Sequence, residues 1–394
     1  MNLFEEARSL LPDMIRLRRK FHQNPELSFQ ELESSKFIAD ELRRLGYQVQ
    51  TEVGKTGVVG YLTGQREVPV VMLRFDMDAL PIQEENQLEY CSRTPGVMHA
   101  CGHDAHMAIG LTVAKMLADH KNELNGGCKL VFQPAEEIGQ GALAMIADGV
   151  LENPRPDFTL GMHVWNELPV GWFGITEGPS MAGSESFAIT VTGKGGHGAS
   201  PQFTADPVIA SAQIITALQS IISRNVSPFD SAVVSVTMVH GGSAMNIIPS
   251  SVELQGTIRA FRTEVFAKVL DRFKQIVGVV AEAMGCEAHI TLKENTIPLV
   301  NSAGVVEAAQ TALKCLLPDA VIDAHYRTMV SEDMAYFLDK IPGAFIFVGS
   351  SNEQQGKIFP HHHPRFDIDE DCLPAACALL VQTCLDLTRE TISG

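Results

Sequence analysis

The chain of 394 residues is 45% hydrophobic and 20% charged and carries a formal net charge of −17. That length exceeds what one core can serve and predicts two domains. So large a negative charge argues against nucleic acid and anionic membranes as partners, since both call for clustered Lys and Arg. No uninterrupted apolar run approaches the roughly 20 residues that cross a bilayer. Met1–Glu6 has no basic stretch ahead of an apolar one, so no signal peptide is expected. The eight cysteines follow no framework spacing, which points to thiols in a reducing, cytoplasmic setting.

Residues 3–46 read as helix. Leu10, Leu11, Met14, Ile15 and Leu17 stand at helical spacing; after a break at Asn24-Pro25, Phe37, Ile38, Leu42 and Leu45 form a second stripe ending at Gly46. Arg18, Arg19, Lys20 and His22 are expected at the surface. Strand-like runs follow at Tyr47–Glu52, Gly57–Leu62 and Val68–Phe75, the last apolar enough to be covered on both faces. It leads into Asp76-Met77-Asp78, two acids at the end of a strand where open α/β sheets place their ligands. A turn with solvated acids is the bland alternative.

A polar loop, Gln83–Pro95, precedes the stretch Met98-His99-Ala100-Cys101-Gly102-His103-Asp104-Ala105-His106, and an apolar helix is expected over Met107–Leu117. Cys101 and His103, two apart, project to one side of an extended loop and pair a thiolate with an imidazole, donors suited to zinc or a similar divalent ion. Lys129–Phe132 is another buried strand, followed by Gln133-Pro134-Ala135-Glu136-Glu137. Phe158–Met162 is a short strand ending at His163. Potential ligands thus recur at the ends of three strands.

From about Ala182 the pattern changes. Ser186–Val191 (strand), Asp206–Ser223 (helix), Ala232–Val239 and Ser251–Ala260 (strands), Glu264–Met284 (helix) and Glu287–Leu292 (strand) give the order β-α-β-β-α-β of a ferredoxin-like sandwich. This is expected to be an inserted domain over 183–296. The loop Gly193–Gly198 invites a phosphate-cradling reading, but no Lys-Ser/Thr follows it. The first domain's style resumes with a helix at Ser302–Leu316, Ser331-Glu332-Asp333, a helix at Met334–Leu338 and a strand at Gly343–Val348. A polar loop then delivers His361-His362-His363, and a helix over Leu373–Leu387 closes the chain. The α/β domain is therefore expected to be split, 1–182 plus 297–394.

The polar candidates are Asp76, Asp78, Cys101, His103, Glu136, Glu137, His163 and one of His361–His363. A cysteine nucleophile would need an orienting partner for its base rather than two adjacent glutamates. A structural zinc site favours cysteine-rich sets, and here acids predominate. A two-metal hydrolytic site needs five or six N, O and S ligands plus a carboxylate to handle a water's proton, and this inventory fits it. Adjacent residues in extended backbone point to opposite sides, so one of Glu136 and Glu137 can bind metal while the other faces water and substrate.

These residues sit in motifs that together resemble the M20 metallopeptidases, in the amidohydrolase branch of hippurate hydrolases, bacterial N-acyl-amino-acid deacylases and plant auxin-conjugate hydrolases. The motifs are RKFHQNPELSFQE (Arg19–Glu31), TGVVG (Thr56–Gly60), RFDMDALP (Arg74–Pro81), MHACGHDAH (Met98–His106), QPAEE (Gln133–Glu137), GKGGHGASP (Gly193–Pro201), MNIIP (Met245–Pro249), GTIR (Gly256–Arg259), SED (Ser331–Asp333) and HHPRFD (His362–Asp367). The resemblance implies a zinc-peptidase-like catalytic domain with a ferredoxin-like lid and dimerisation domain. It implies two divalent ions, Mn or Zn first and Co or Ni next, held by Cys101, His103, Glu137, His163 and His362, with His361 a rival one residue off.

By the same resemblance, Glu136 is the general base and Cys101 bridges the ions, while Asp76, Asp78 and Asp104 support the ligands. His197 polarises the scissile carbonyl, and Asn246 and Arg259 hold a substrate carboxylate. Because His197 reaches in from the partner subunit in many relatives, a homodimer or higher oligomer is implied. The expected reaction is hydrolysis of N-acyl-L-amino acids. A metallo-dipeptidase or aminopeptidase is the alternative, and a non-catalytic metal-dependent binding protein a more distant one.

Overall fold

The computed structural model describes residues 2–389, apart from the side chains of Glu294 and Asn295; Met1 and residues 390–394, assigned above to the first domain, lie outside the described residues. In chain order the first elements are α1 (Leu3–Ser9), α2 (Leu11–Gln23), α3 (Leu32–Arg44), β1 (Gln48–Val53), β2 (Gly57–Thr63), β3 (Val70–Asp76), α4 (His103–Asp119), β4 (Gly127–Gln133), α5 (Gly141–Ala147), β5 (Phe158–Pro169) and β6 (Trp172–Gly174). Next come β7 (Gly178–Met181), β8 (Gly183–Thr192), β9 (Gly196–His197), α6 (Pro207–Ser220), β10 (Ala232–Gly241), β11 (Ile247–Ile248), β12 (Ser251–Ala260), α7 (Thr263–Ala283) and β13 (Glu287–Thr296). The chain ends with β14 (Leu299–Asn301), α8 (Ala303–Leu316), β15 (Val321–Asp323), α9 (Ala335–Leu338), β16 (Gly343–Ser351) and α10 (Leu373–Leu387). The fold is α/β, in two compact units. One holds the chain up to Gly178, Val300–Arg327 and the residues from Asp333 on; the other holds Pro179–Leu299 and Thr328–Glu332.

The first unit is built on an eight-stranded mixed sheet of order β1-β2-β4-β3-β5-β16-β6-β15. Its centre, β4-β3-β5-β16, is parallel throughout. Every residue of β3 and of β4 is buried, which is why both read as apolar runs rather than alternating ones. Helix α4 is buried nearly all round, from His103 through Ala114, and packs against α2 and α10. Polar side chains in its first turn are therefore held inside the protein.

Helices expected from periodicity are present, with two differences of consequence. Helix α4 starts at His103, four residues before the first apolar position that suggested it, so a candidate ligand occupies its first turn. Strand β5 does not stop at His163 but runs on to Pro169, placing His163 mid-strand, opposite Phe347 of β16. Polar residues in the second half of the strand hid this continuation. The surface expectation for Arg18 and His22 is corrected: both are fully buried, while Lys20 is exposed and Arg19 partly so. Acidic partners, distant in sequence, meet these two side chains and make the burial possible.

The second unit carries a four-stranded antiparallel sheet of order β10-β12-β8-β13. With α6 between β8 and β10 and α7 between β12 and β13, this is the ferredoxin-like arrangement. Helix α7 buries Val265, Phe266, Val269, Phe273, Ile276, Val277 and Ala281, an i, i+3/i+4 stripe against the sheet. Phe273 packs against Phe187 of β8 with ring centroids 4.6 Å apart and planes tilted by 48°. Asp206 caps α6, accepting from the N–H groups of Val208 and Ile209, with Pro207 opening the first turn.

Candidate metal centre

Five chain segments of the first unit bring their side chains together. The loop before α4 supplies Cys101 and the first turn of that helix His103. The turn after β4 supplies Glu136 and Glu137, β5 supplies His163, and the loop before α10 supplies His362. Donor atoms of Cys101, His103 and His163 lie within 4.8 Å of one another, as do those of Cys101, Glu137 and His362. Cys101 belongs to both triplets, so one sulfur atom stands between two sets of donors. His103, Glu136 and Glu137 form a third such group.

Local geometry fixes the Cys101 loop. Met98 and Leu80 exchange main-chain hydrogen bonds of 3.0 Å, and Ala100 O accepts from His362 N at 2.8 Å. Gly102 has φ +92°, and a Cβ there would lie 2.5 Å from Val164 Cγ2, so no other residue fits between the two ligand candidates without displacing β5. His362 itself holds φ +65°, a left-handed conformation rare for a residue with a side chain.

The hydrogen bonds decide which ring nitrogens face the cluster. His103 Nδ1–H donates to Asp78 O at 2.9 Å, which leaves Nε2 buried and without a hydrogen-bond partner, 3.7 Å from Asp76 Oδ2. His163 Nδ1–H donates to Val164 O at 2.6 Å, and its Nε2 lies 3.4 Å from Cys101 Sγ. His362 Nε2 lies 3.4 Å from Glu137 Oε2, while Glu137 Oε1 is buried with no protein partner. Ligand histidines commonly donate the other ring N–H to an acceptor behind them, as His103 and His163 do.

His361 is different. Its Nε2–H donates to Val164 O at 2.9 Å, and burial pulls the ring down to about 3, so it is a neutral structural donor. His106 is also spent: Nδ1–H donates to Asp76 Oδ1 at 2.5 Å, and Nε2 accepts from Val164 N at 3.0 Å.

Electrostatics favour a cation here. Burial opposes charge on His103, yet Asp76, Asp78 and Glu137 outweigh it and raise the ring to about 10. Burial, partly offset by His103, pushes the Glu137 carboxyl up. Burial and the nearby Glu137, Glu136 and Asp76 push the Cys101 thiol well above its ordinary range. That shift is opposite to the lowered pKa of nucleophilic cysteines. The same thiol, two imidazole nitrogens and a carboxylate suit divalent ions, whose charge stabilises the deprotonated forms. The donors thus fit divalent ions, and Cys101 is common to two of the donor triplets.

Charged groups behind the donors fix their supports. Asp76, the last residue of β3, accepts from His106 and from Arg74 Nη1 at 2.6 Å. Asp78 accepts from Glu136 N and Glu137 N through its carboxylate. Asp104, next to His103 in α4, faces away from the donors and accepts from Arg18 Nε at 3.0 Å and His22 Nδ1 at 2.8 Å. Arg18 reaches on to Asp367 and Glu370 in the loop after His362.

Comparison with known proteins bears on this arrangement directly. The family model described as Peptidase family M20/M25/M40 matches residues 72–386. The chain belongs to the M20/M25/M40 peptidase family. It is 41% identical over 370 residues to the IAA-amino acid hydrolase ILR1-like 4 of Arabidopsis thaliana, covering 93% of this chain and 83% of that protein. It is 39% identical over 376 residues to the N-acetyl-L-cysteine deacetylase of Bacillus subtilis, covering 95% and 88%. Among solved structures, the YXEP protein of Bacillus subtilis, described as a dinuclear metal binding peptidase from the M20 family, superposes with a TM-score of 0.85 at 33% identity, covering 98% of this chain and all of that one.

The remaining candidates of this M20 chain lie in its second unit. His197 of β9 pairs in register with Ile247 of β11, and Gly198 N donates to Asn246 O at 2.8 Å, so His197 stands beside the turn that holds Asn246 just before β11. His197 is exposed, with Nδ1 accepting from Ala199 N at 3.0 Å. Arg259 stands apart from them on β12, opposite Ser184, and its Nη1 donates to Met329 O at 2.7 Å. Arg18, His22, Glu31, Arg74 and His106 went unassigned in the sequence. Arg74 left a visible signal, a lone charge within an otherwise apolar strand; the others gave none, because each has a decisive partner 58 to 352 residues away.

Proposed function

We propose that this M20-family hydrolase cleaves the amide bond of N-acyl-L-amino acids, releasing a carboxylic acid and a free amino acid. The observation that carries the reading is Cys101 shared between two donor triplets, with Glu136 beside His103 and Glu137 at their edge. Two divalent ions held by Cys101, His103, Glu137, His163 and His362, Mn or Zn first, would supply the Lewis acidity that makes a water reactive near neutral pH. Glu136 takes that water's proton and passes it to the leaving amine.

His197 polarises the scissile carbonyl, and Asn246 and Arg259 hold the carboxylate of the amino-acid half, the Arg through a charge-assisted bond. Names of relatives support this substrate class, because an amino-acid conjugate and an N-acetyl amino acid share an amide whose amine side bears a carboxylate. The active form is a homodimer in the reducing cytoplasm. All eight cysteines are unpaired thiols, and among the described residues no helix is long and apolar enough to cross a membrane.

Glu136→Ala is expected to keep its metal and lose nearly all turnover of acetyl-, benzoyl- and indole-acetyl-amino acids. Substantial residual activity would remove Glu136 as the base. Faster turnover of free-amine dipeptides than of acylated amino acids by the wild type would replace this reading with a dipeptidase.

A further inference from the structure

The motif RKFHQNPELSFQE has one acid that the reaction scheme leaves idle. Glu31 is fully buried at the start of α3, and burial pushes its carboxyl up despite the hydrogen bonds it accepts. Burying an acid is costly unless its oxygens are well used. Glu31 Oε2 accepts from Thr56 Oγ1 at 2.6 Å; Oε1 accepts from Phe29 N and, across 104 residues of chain, from Ala135 N, both at 3.0 Å. Ala135 precedes the Glu136-Glu137 pair and holds φ +53°, the left-handed region that a Cβ disfavours.

The next two amides are held in the same manner. Glu136 N donates to Asp78 Oδ1 and Glu137 N to Asp78 Oδ2, each at 3.1 Å. Ser28 Oγ donates to Asp78 Oδ2 at 2.7 Å, so residues 28–31 reach both acids of the clamp. Three successive N–H groups, a concavity that elsewhere binds anions, are here filled by the chain's own carboxylates. The turn is closed on its far side by Gly141, where a Cβ would collide with Pro134 O at 1.6 Å.

We propose that Glu31 is a positioning residue for hydrolysis. It holds Ala135 in its left-handed conformation, so that Glu136 and Glu137 leave the turn on the side of the donor cluster. This rests on the role given to Glu136 above. Asp78 alone cannot do it, because its two bonds begin one residue after the strained position.

Hydrogen–deuterium exchange over 133–141, read beside kcat, KM and metal content, tests the clamp in Glu31→Leu, Glu31→Gln and Thr56→Val. In Glu31→Leu, exchange of this segment is expected to rise about tenfold or more. Its kcat per metal-loaded chain should fall about 10- to 100-fold, with KM little changed. Glu31→Gln keeps the accepting oxygen and should stay near wild type on both readouts. Adding Ala135→Gly to Glu31→Leu removes the Cβ penalty and should recover part of kcat. Should Glu31→Leu not fold, Thr56→Val, which loosens the acid without removing it, should shift exchange and kcat in the same direction by a smaller factor. Unchanged exchange at 133–141, or raised exchange with unchanged kcat, overturns the proposal. Exchange does not depend on turnover, so a wild type that hydrolyses none of the acyl amino acids refutes the substrate reading and leaves the clamp to be judged by exchange.

Discussion

At the scale of single residues, the three consecutive histidines show how hydrogen bonding sorts identical side chains. His361 gives its Nε2–H to Val164 O, whereas His362, held at positive φ, faces Glu137. His362→Ala is therefore expected to lower the divalent metal bound per chain, and His361→Ala to leave it unchanged; elemental analysis of the purified variants distinguishes them. Val164 is the common support, since its N–H and C=O engage His106, His163 and His361. The sequence stated that a cysteine and a histidine two apart are a ligand pair. It could not state which nitrogen each ring presents, because that depends on where the fold places acceptors such as Asp78 O, in the loop after β3, and Val164 O, on β5.

At the scale of elements, Arg18 ties α2 to the first turn of α4 through Asp104 and to the loop after His362 through Asp367 and Glu370. Tyr90 and Lys357 also meet Asp367. Arg18→Met leaves buried carboxylates without their cation and is expected to destabilise the first unit by about 3–5 kcal/mol, measured by chemical denaturation.

A second tie joins α1 to the end of α4. His120 bridges Glu6 at 2.8 Å and Glu123 at 2.7 Å. Burial opposes its charge, but the hydrogen bonds it donates to Glu123 and Glu6 outweigh it and raise its pKa. A raised folded-state pKa contributes stability that is fully present below the unfolded value of about 6.5 and fades as pH rises through the folded one. The wild type should thus exceed His120→Gln in Tm at pH 5.5, and the gap should close by pH 9. A gap independent of pH would show that the ring acts through packing alone.

For the whole molecule, the donor cluster joins five segments between Cys101 and His362, so occupancy and folding of the first unit are linked. Because ions that bind only the folded state stabilise it by mass action, chelation should lower Tm, and added Mn or Zn should restore it. An unchanged Tm after complete metal removal, confirmed by elemental analysis, would show that the folded first unit does not bind these ions in preference to the unfolded chain.

The sequence by itself determined the α/β class, the ferredoxin-like order of the insert and the family. Each of these rests on local periodicity or on short motifs that carry their own spacing. Tertiary structure decided that β5 runs past His163, that Arg18 and His22 are buried, and that Glu31 reaches Ala135. Each of those depends on a partner far along the chain: β16 beside β5, Asp104 and Asp367 around Arg18, the turn after β4 above Glu31. Periodicity reports which face of an element is apolar. It carries no record of the distant carboxylate that allows a charged side chain to be inside.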